Sequence, residues 1–125
     1  MAYVLFLTGC EPLPPRLHVY APPASKELSP EDIQAVIGIV DMIAAKYHFY
    51  PVIHPLFGAL RQYSESATGE PVVMGLFLET NRSYVTIGAG GTYEGAIRTQ
   101  LTKSLRDRFG RSRVRWVSGL MFNPV

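Results

Sequence analysis

Runs of apolar and β-branched residues predict four strands along the chain. Residues 3–8 (YVLFLT) form a short apolar run that is typical of a central strand. "VVMGLFLE" and "SYVTIG" predict two further strands, joined by a short hairpin loop at residues 80–82. "SRVRWVSGLMF" predicts a last strand with two distinct faces. One face carries Val114, Trp116, Leu120 and Phe122, and the other carries Arg113 and Arg115.

Apolar residues at helical spacing predict two main helices. Ser29 and Pro30 have the character of a cap and a first helical residue, and the acidic residues that follow suit the positive end of a helix dipole. The core stripe of this first helix is Ile33, Val36, Ile37, Val40, Ile43, Ala44 and Tyr47. A second helix is predicted from about Thr92 to Phe109, with Gly110 as its stop. Its core stripe is Tyr93, Ile97, Leu101, Leu105 and Phe109.

Two proline-containing segments interrupt these elements. Five prolines between residues 9 and 29 exclude a helix there, and "LHVY" predicts at most a short edge strand. Between residues 49 and 71, Pro51 and Pro55 bracket a short strand or a turn. The spacing of Leu56, Leu60 and Tyr63 in the same segment predicts a short helix.

Without these segments the order of elements is β-α-β-β-α-β. This order predicts an α+β protein of the ferredoxin-like (split β-α-β) kind, in which two main helices lie on one face of an antiparallel sheet. Residues 9–29 and 49–71 are then insertions. A chain of 125 residues is expected to form a single domain over residues 1–125.

The first helix is apolar outside its core stripe as well. Ile39 and Met42 lie off the stripe, and two explanations are open. Residues 49–71 of the same chain could cover them, or they could form an oligomer interface.

Composition limits the function classes. Apolar residues make up 47% and charged residues 18% of the chain, which is typical of a globular protein. The single cysteine, Cys10, excludes an internal disulfide, and the three histidines have no metal-binding spacing, so no metal and no cofactor are predicted. No run approaches the ~18 apolar residues of a membrane span. We therefore expect a soluble, cytoplasmic protein without a membrane partner.

Glycines cluster in "YVTIGAGGTYEGAI", residues 84–97, between a predicted strand and a predicted helix. The first N–H groups of a helix attract anions, and we predict an anion-binding turn formed by Gly88, Gly90, Gly91 and Thr92. The spacing is neither G-x-G-x-x-G nor a P-loop, so a nucleotide fingerprint is excluded. The alternative is a tight corner in which the glycines only provide positive φ angles.

The stretch "IGAGGTYEG", with the helix and strand that follow it, resembles the second half of tautomerase-superfamily subunits. That resemblance implies β-α-β units and an oligomer. Catalysis in that family depends on an N-terminal proline exposed after removal of methionine. This chain begins Met1-Ala2-Tyr3, so the catalytic amine does not carry over.

Basic residues concentrate in the C-terminal third. From Gly95 onward there are seven basic residues and one acidic residue, whereas the first 94 residues carry a net charge of −4. An anionic partner is one explanation: nucleic acid, an acidic protein surface or an anionic small ligand. A solvated basic face is the other. The partner-binding residues are predicted to be Arg98, Arg106, Arg113 and Arg115, on two separate surfaces. The consensus motif of a standard RNA-recognition domain is absent, which disfavours that class.

The sequence favours a non-enzymatic module of a regulatory, inhibitory or assembly kind, including a phage protein or a subunit of a larger particle. No catalytic residue is predicted, and Glu79 and Tyr93 are the polar residues that would be tested first. The alternative is a small oligomeric enzyme of the isomerase or lyase type. Its anionic substrate would bind at the glycine turn, which we define as residues 88–93.

Overall fold

The computed structural model describes residues 15–53, 59–67 and 75–117. Their elements are the strands β1 (Arg16–Tyr20), β2 (Tyr50–Pro51), β3 (Arg61–Ser64), β4 (Gly75–Thr80), β5 (Tyr84–Ala89) and β6 (Val114–Val117), and the helices α1 (Pro30–Lys46) and α2 (Glu94–Phe109). A 3-10 turn, Arg111–Arg113, connects α2 to β6. The six strands form one antiparallel sheet in the order β2-β3-β4-β5-β1-β6. The predicted α+β class, with an antiparallel sheet and two helices, is therefore confirmed.

The start of α1 and the end of α2 have reasons visible in the sequence. The Ser29 hydroxyl accepts a hydrogen bond from the Asp32 N–H at 3.1 Å, which caps α1. α2 ends at Gly110, whose φ of 90° is one that glycine adopts readily. The predicted core stripe of α2 is buried at Ile97, Leu101, Leu105 and Phe109, whereas Tyr93 lies before the helix and is 47% exposed.

The core lies between the helices and one face of the sheet. Alternate residues of β1, β4 and β5 point into it, and they are Leu17, Val19, Leu76, Leu78, Val85 and Ile87. Val114 of β6 is fully buried in the same core, and the Trp116 Nε1–H donates to the Thr102 hydroxyl of α2 at 2.9 Å. The face of the sheet away from α1 and α2, which we call the open face, carries the intervening residues.

The prediction for residues 16–20 is wrong, since "LHVY" belongs to an interior strand and not to an edge strand in an insertion. β1 pairs with β5 on one side and with β6 on the other. Leu17 and Val19 are 0% exposed. Pro15 and Pro22 stand outside the strand, where they remove no hydrogen bond from the ladder. The strand predicted at residues 3–8 lies outside the described residues, as do Leu120 and Phe122.

The short helix predicted within residues 49–71 is also wrong where the structure describes it. Residues 61–64 form β3, which pairs with β4, and β2 pairs with β3 in turn. The Leu60 N–H donates to Leu78 O at 2.8 Å and the Val52 N–H to Gln62 O at 2.8 Å, which extends both ladders. Unpaired backbone groups at the edge of β4 favour a strand here over an isolated short helix.

Candidate functional site

The glycine turn already holds an anionic group of the same chain. The Glu65 carboxylate accepts a hydrogen bond from the Thr92 N–H at 2.7 Å and another from the Thr92 hydroxyl at 3.2 Å. Gly91 has a φ of 101°, and a Cβ there would lie 2.6 Å from the Glu65 Oε2 atom. Within the described residues, the Thr92 N–H and hydroxyl at this turn thus both donate to a carboxylate of the same chain, that of Glu65.

The other predicted residues of this turn have separate roles. The Gly90 N–H donates to Gly75 O at 2.9 Å, which ties the turn to the start of β4. Gly88 lies within β5, where a Cβ would collide with the ring of Phe77. Tyr93, the last residue of the turn, remains exposed, and its ring centroid lies 5.2 Å from that of Tyr47. The four predicted anion-binding residues are therefore not one cradle.

The basic residues of α2 and β6 border an open groove of about 700 Å³, which we call the basic groove. Its charged and aromatic lining consists of Arg98, Lys103, Arg106, Asp107, Arg111 and Trp116. The Arg98 guanidinium lies 4.4 Å from the centroid of the Trp116 ring. Arg106 donates two hydrogen bonds to Val114 O, at 3.2 and 3.4 Å. The groove thus brings together two of the four predicted partner-binding arginines and adds Lys103 and Arg111.

Arg113 does not share a strand face with Arg115, so that part of the prediction is wrong. It lies in the 3-10 turn, where its Nη2 contacts the Asp32 carboxylate at 2.9 Å and its Nε donates to Tyr20 O at 2.9 Å. Both charged side chains are 20% exposed. Arg113 therefore joins the first turn of α1 to the end of β1, whereas Arg115 is exposed on the open face beside His18.

A cluster of aromatic rings stands on the open face, and two of them, His18 and Tyr20, come from the stretch for which the sequence pattern predicted at most a short edge strand. The His18 and Tyr84 rings are stacked, with centroids 4.6 Å apart and planes at 14°. The His18 Nδ1 and the Tyr20 hydroxyl lie within hydrogen-bonding distance, at 3.1 Å. Burial and the nearby Arg16 charge lower the pKa of His18, so this ring is neutral at physiological pH. The alternation R-L-H-V-Y between prolines is the signal that could have identified this cluster.

A polar cluster that the sequence analysis did not predict joins α1 to β3. The Tyr63 hydroxyl donates to the Asp41 carboxylate, which also accepts from Arg61 Nε at 3.2 Å. Burial and the neighbouring Asp41 raise the pKa of Tyr63 to about 12. The cluster attaches the β2–β3 pair to the helix layer.

The two residues of the predicted oligomer interface differ in exposure. Ile39 is partly buried against the core, whereas Met42 is 56% exposed. Residues 50–53 and 59–67 thus leave most of Met42 uncovered.

The described residues contain no cluster of three His, Cys, Asp or Glu side chains able to hold a metal ion. Across residues 15–53, 59–67 and 75–117, no helix combines the length and apolar character needed to cross a membrane. Comparisons of the chain with protein-family models, with curated proteins and with solved structures found no match. The resemblance to tautomerase subunits therefore depends only on residues 87–95 and the helix and strand that follow them.

Proposed function

We propose that this protein is a non-enzymatic binding module that recognises nucleic acid through its Arg-rich C-terminal third, with the basic groove as the contact surface. One observation carries the proposal. Four cationic side chains, a single carboxylate and the indole of Trp116 line this groove. An open groove lined in this way attracts the evenly spaced charges of a phosphate backbone.

The positions of the cations suit phosphate contacts. Arg98 is oriented by the Trp116 ring and Arg106 by Val114 O, so both guanidinium groups are held in place before a partner binds. Pre-organised arginines lose less side-chain entropy on binding, and their planar groups match phosphate oxygens. Two of the groove cations are in ion pairs, Lys103 with Asp107 and Arg98 with Glu94 beside the groove at 3.5 Å. The Lys103 pair is largely exposed and contributes little, so phosphate can replace it.

The fold proposed here is ferredoxin-like with an addition at one edge. The strands β6-β1-β5-β4, together with α1 and α2, follow the split β-α-β order, and β3 and β2 extend the sheet beyond β4. A cytoplasmic location belongs to the same proposal, because a single cysteine suits a reducing compartment. We favour a binding module over the isomerase or lyase alternative because Glu65 occupies the glycine turn where that substrate would bind.

The test measures the affinity for a fluorescein-labelled 20-nucleotide single strand by anisotropy. The double variant Lys103→Glu/Arg111→Glu reverses two groove charges, and we expect it to weaken binding at least tenfold and to flatten the dependence of log K on log salt. The control is Lys26→Glu/Arg108→Glu, which makes the same change in net charge at two exposed residues that do not line the groove.

Equal losses in both double variants would show that net charge, and not the groove, governs binding. Poly-glutamate of the same length provides a second arm. If it binds as tightly as the oligonucleotide, the partner is an acidic protein surface and the assignment to nucleic acid is wrong. Absence of binding to either polymer would overturn the proposed function altogether.

A further inference from the structure

Aromatic and cationic side chains share the open face of the sheet. Cross-strand partners lie on the same face, so the pairing of His18 with Thr86 and of Tyr20 with Tyr84 places these residues opposite the helices. The pairing of His18 with Arg115 extends the same row onto β6. The open face therefore carries rings on the adjacent strands β1 and β5 and a guanidinium on β6, the outermost strand of the described sheet on that side.

The three rings of β1 and β5 are packed against one another. In addition to the stacked pair of His18 and Tyr84, the Tyr20 ring lies 5.7 Å from Tyr84 and 5.5 Å from His18. Each ring is partly exposed. Contacts on several sides limit the rotamers available to these side chains, so another planar group could stack on them at a low cost in entropy.

A second aromatic position lies further along the same face. Phe77 of β4 pairs with Gly88 of β5, and because residue 88 has no side chain the Phe77 ring lies across that strand. The Arg16 guanidinium lies 4.8 Å from the centroid of the Phe77 ring. This arrangement explains why residue 88 is a glycine, for a reason unrelated to the turn. It also repeats the combination of an aromatic ring and an arginine on the open face.

The charges of this face favour an anionic polymer. Arg16 and Arg115 belong to it, and Glu79, which pairs with Thr86, is the acidic residue in the same rows. The neutral His18 adds a planar surface without a charge. An acidic peptide could form ion pairs with the arginines, but it would leave the aromatic rings without planar groups to stack on them. Nucleobases satisfy both requirements, since they stack on aromatic rings while their phosphates meet cations.

We propose that the open face binds unpaired nucleobases, with Tyr84, His18 and Tyr20 as one stacking position and Phe77 with Arg16 as a second. This inference rests on the proposed function and narrows its partner to single-stranded nucleic acid. The basic groove and Arg115 lie on opposite sides of the edge strand β6, so a single strand can contact both surfaces by passing around that edge.

The first experiment compares the binding of three probes that have the same length and carry the same fluorescent label. They are oligo-dT, the same oligomer without bases, and a duplex. We expect oligo-dT to bind the wild type at least tenfold more tightly than the abasic oligomer. Tyr84→Ala should weaken oligo-dT binding about 5- to 100-fold and leave the abasic oligomer unaffected, because loss of one stacked base has an effect of this size. Tyr84→Phe retains the ring and should stay within about threefold of the wild type. Tyr93→Ala, at an exposed tyrosine outside the sheet, is the matched control and should change nothing.

A second measurement does not depend on whether Tyr84→Ala folds. The proton resonances of the His18 ring, assigned by comparison with His18→Gln, should move upfield when oligo-dT is added to the wild type and should not move with the abasic oligomer. If the abasic oligomer binds as well as oligo-dT and the His18 resonances stay in place, base stacking is refuted while the groove proposal stands. Equal binding of the duplex and the single strand also refutes base stacking. If none of the probes binds, the proposed function and this inference both fail.

Discussion

The contact between Glu65 and the glycine turn can be tested by removing the carboxylate. In Glu65→Ala the Thr92 N–H and hydroxyl both lose the acceptor that they now share, and the space beside Gly91 opens. Glu65 directly follows β3, so the same contact holds the end of the β2–β3 pair against the start of α2. Loss of the carboxylate should therefore reduce the stability of the fold.

The expected loss follows from the two hydrogen bonds. A bond to a charged acceptor contributes about 1.5–3 kcal/mol when it is shielded from water. Both bonds here are exposed, which brings their contribution close to that of exposed ion pairs, at most about 1 kcal/mol each. We expect Glu65→Ala to lower the free energy of unfolding by about 1–1.5 kcal/mol. With an m-value of about 2 kcal/mol per molar urea, the unfolding midpoint falls by roughly 0.5–0.75 M.

The assay is urea unfolding followed by Trp116 fluorescence, in phosphate and in chloride at equal ionic strength. Phosphate should stabilise Glu65→Ala by mass action, by about 1.4 kcal/mol at ten times its Kd, because the vacated turn is free to bind it. The wild type corrects for the general stabilising effect of phosphate on folded proteins. Glu65→Gln retains the shape and one acceptor without the charge and should lose about half as much stability as Glu65→Ala.

Two results would refute this reasoning. One is an unfolding midpoint of Glu65→Ala equal to that of the wild type, since the carboxylate would then contribute nothing. The other is an equal response of both proteins to phosphate, which would show that the turn is a corner without affinity for anions.

The remaining predictions concern stability, pH and assembly. Arg113→Ala should lower the free energy of unfolding by about 2–3 kcal/mol, because Tyr20 O and Asp32 both lose a charged donor. Arg115→Ala should change the free energy of unfolding by no more than about 0.5 kcal/mol, and equal urea midpoints for the two variants would contradict this difference. Because the pKa of His18 is lowered in the folded protein, the unfolded chain binds a proton more readily, and the stability of the wild type should fall as the pH drops below about 6.5. Urea titrations at pH 7.5 and pH 5 should show a smaller loss of stability for His18→Gln than for the wild type. If α1 forms an oligomer interface, light scattering at micromolar concentration should show a dimer or larger species that Met42→Glu dissociates, and a wild-type monomer would exclude it.

Local signals in the sequence were sufficient to predict both helices and the concentration of basic residues in the C-terminal third. The cap at Ser29, the glycine at residue 110 and the apolar spacing of Ile97, Leu101 and Leu105 act within a few residues of one another, so their effects can be read without the rest of the chain. The seven basic residues of the C-terminal third are likewise a property of the sequence alone. A charge count does not depend on which residues meet in space.

The tertiary structure alone decided which strand lies in the interior of the sheet and what each charged residue contacts. "LHVY" became an interior strand because β5 and β6, which follow it by more than 60 residues, supply its hydrogen bonds. Residues 61–64 became a strand because the edge of β4 was available to them. Glu65 meets Thr92 across 27 residues and Arg113 meets Asp32 across 81, and no local pattern encodes such distances. Pairing between strands and between opposite charges depends on the residues that folding brings together, and sequence spacing does not reveal them.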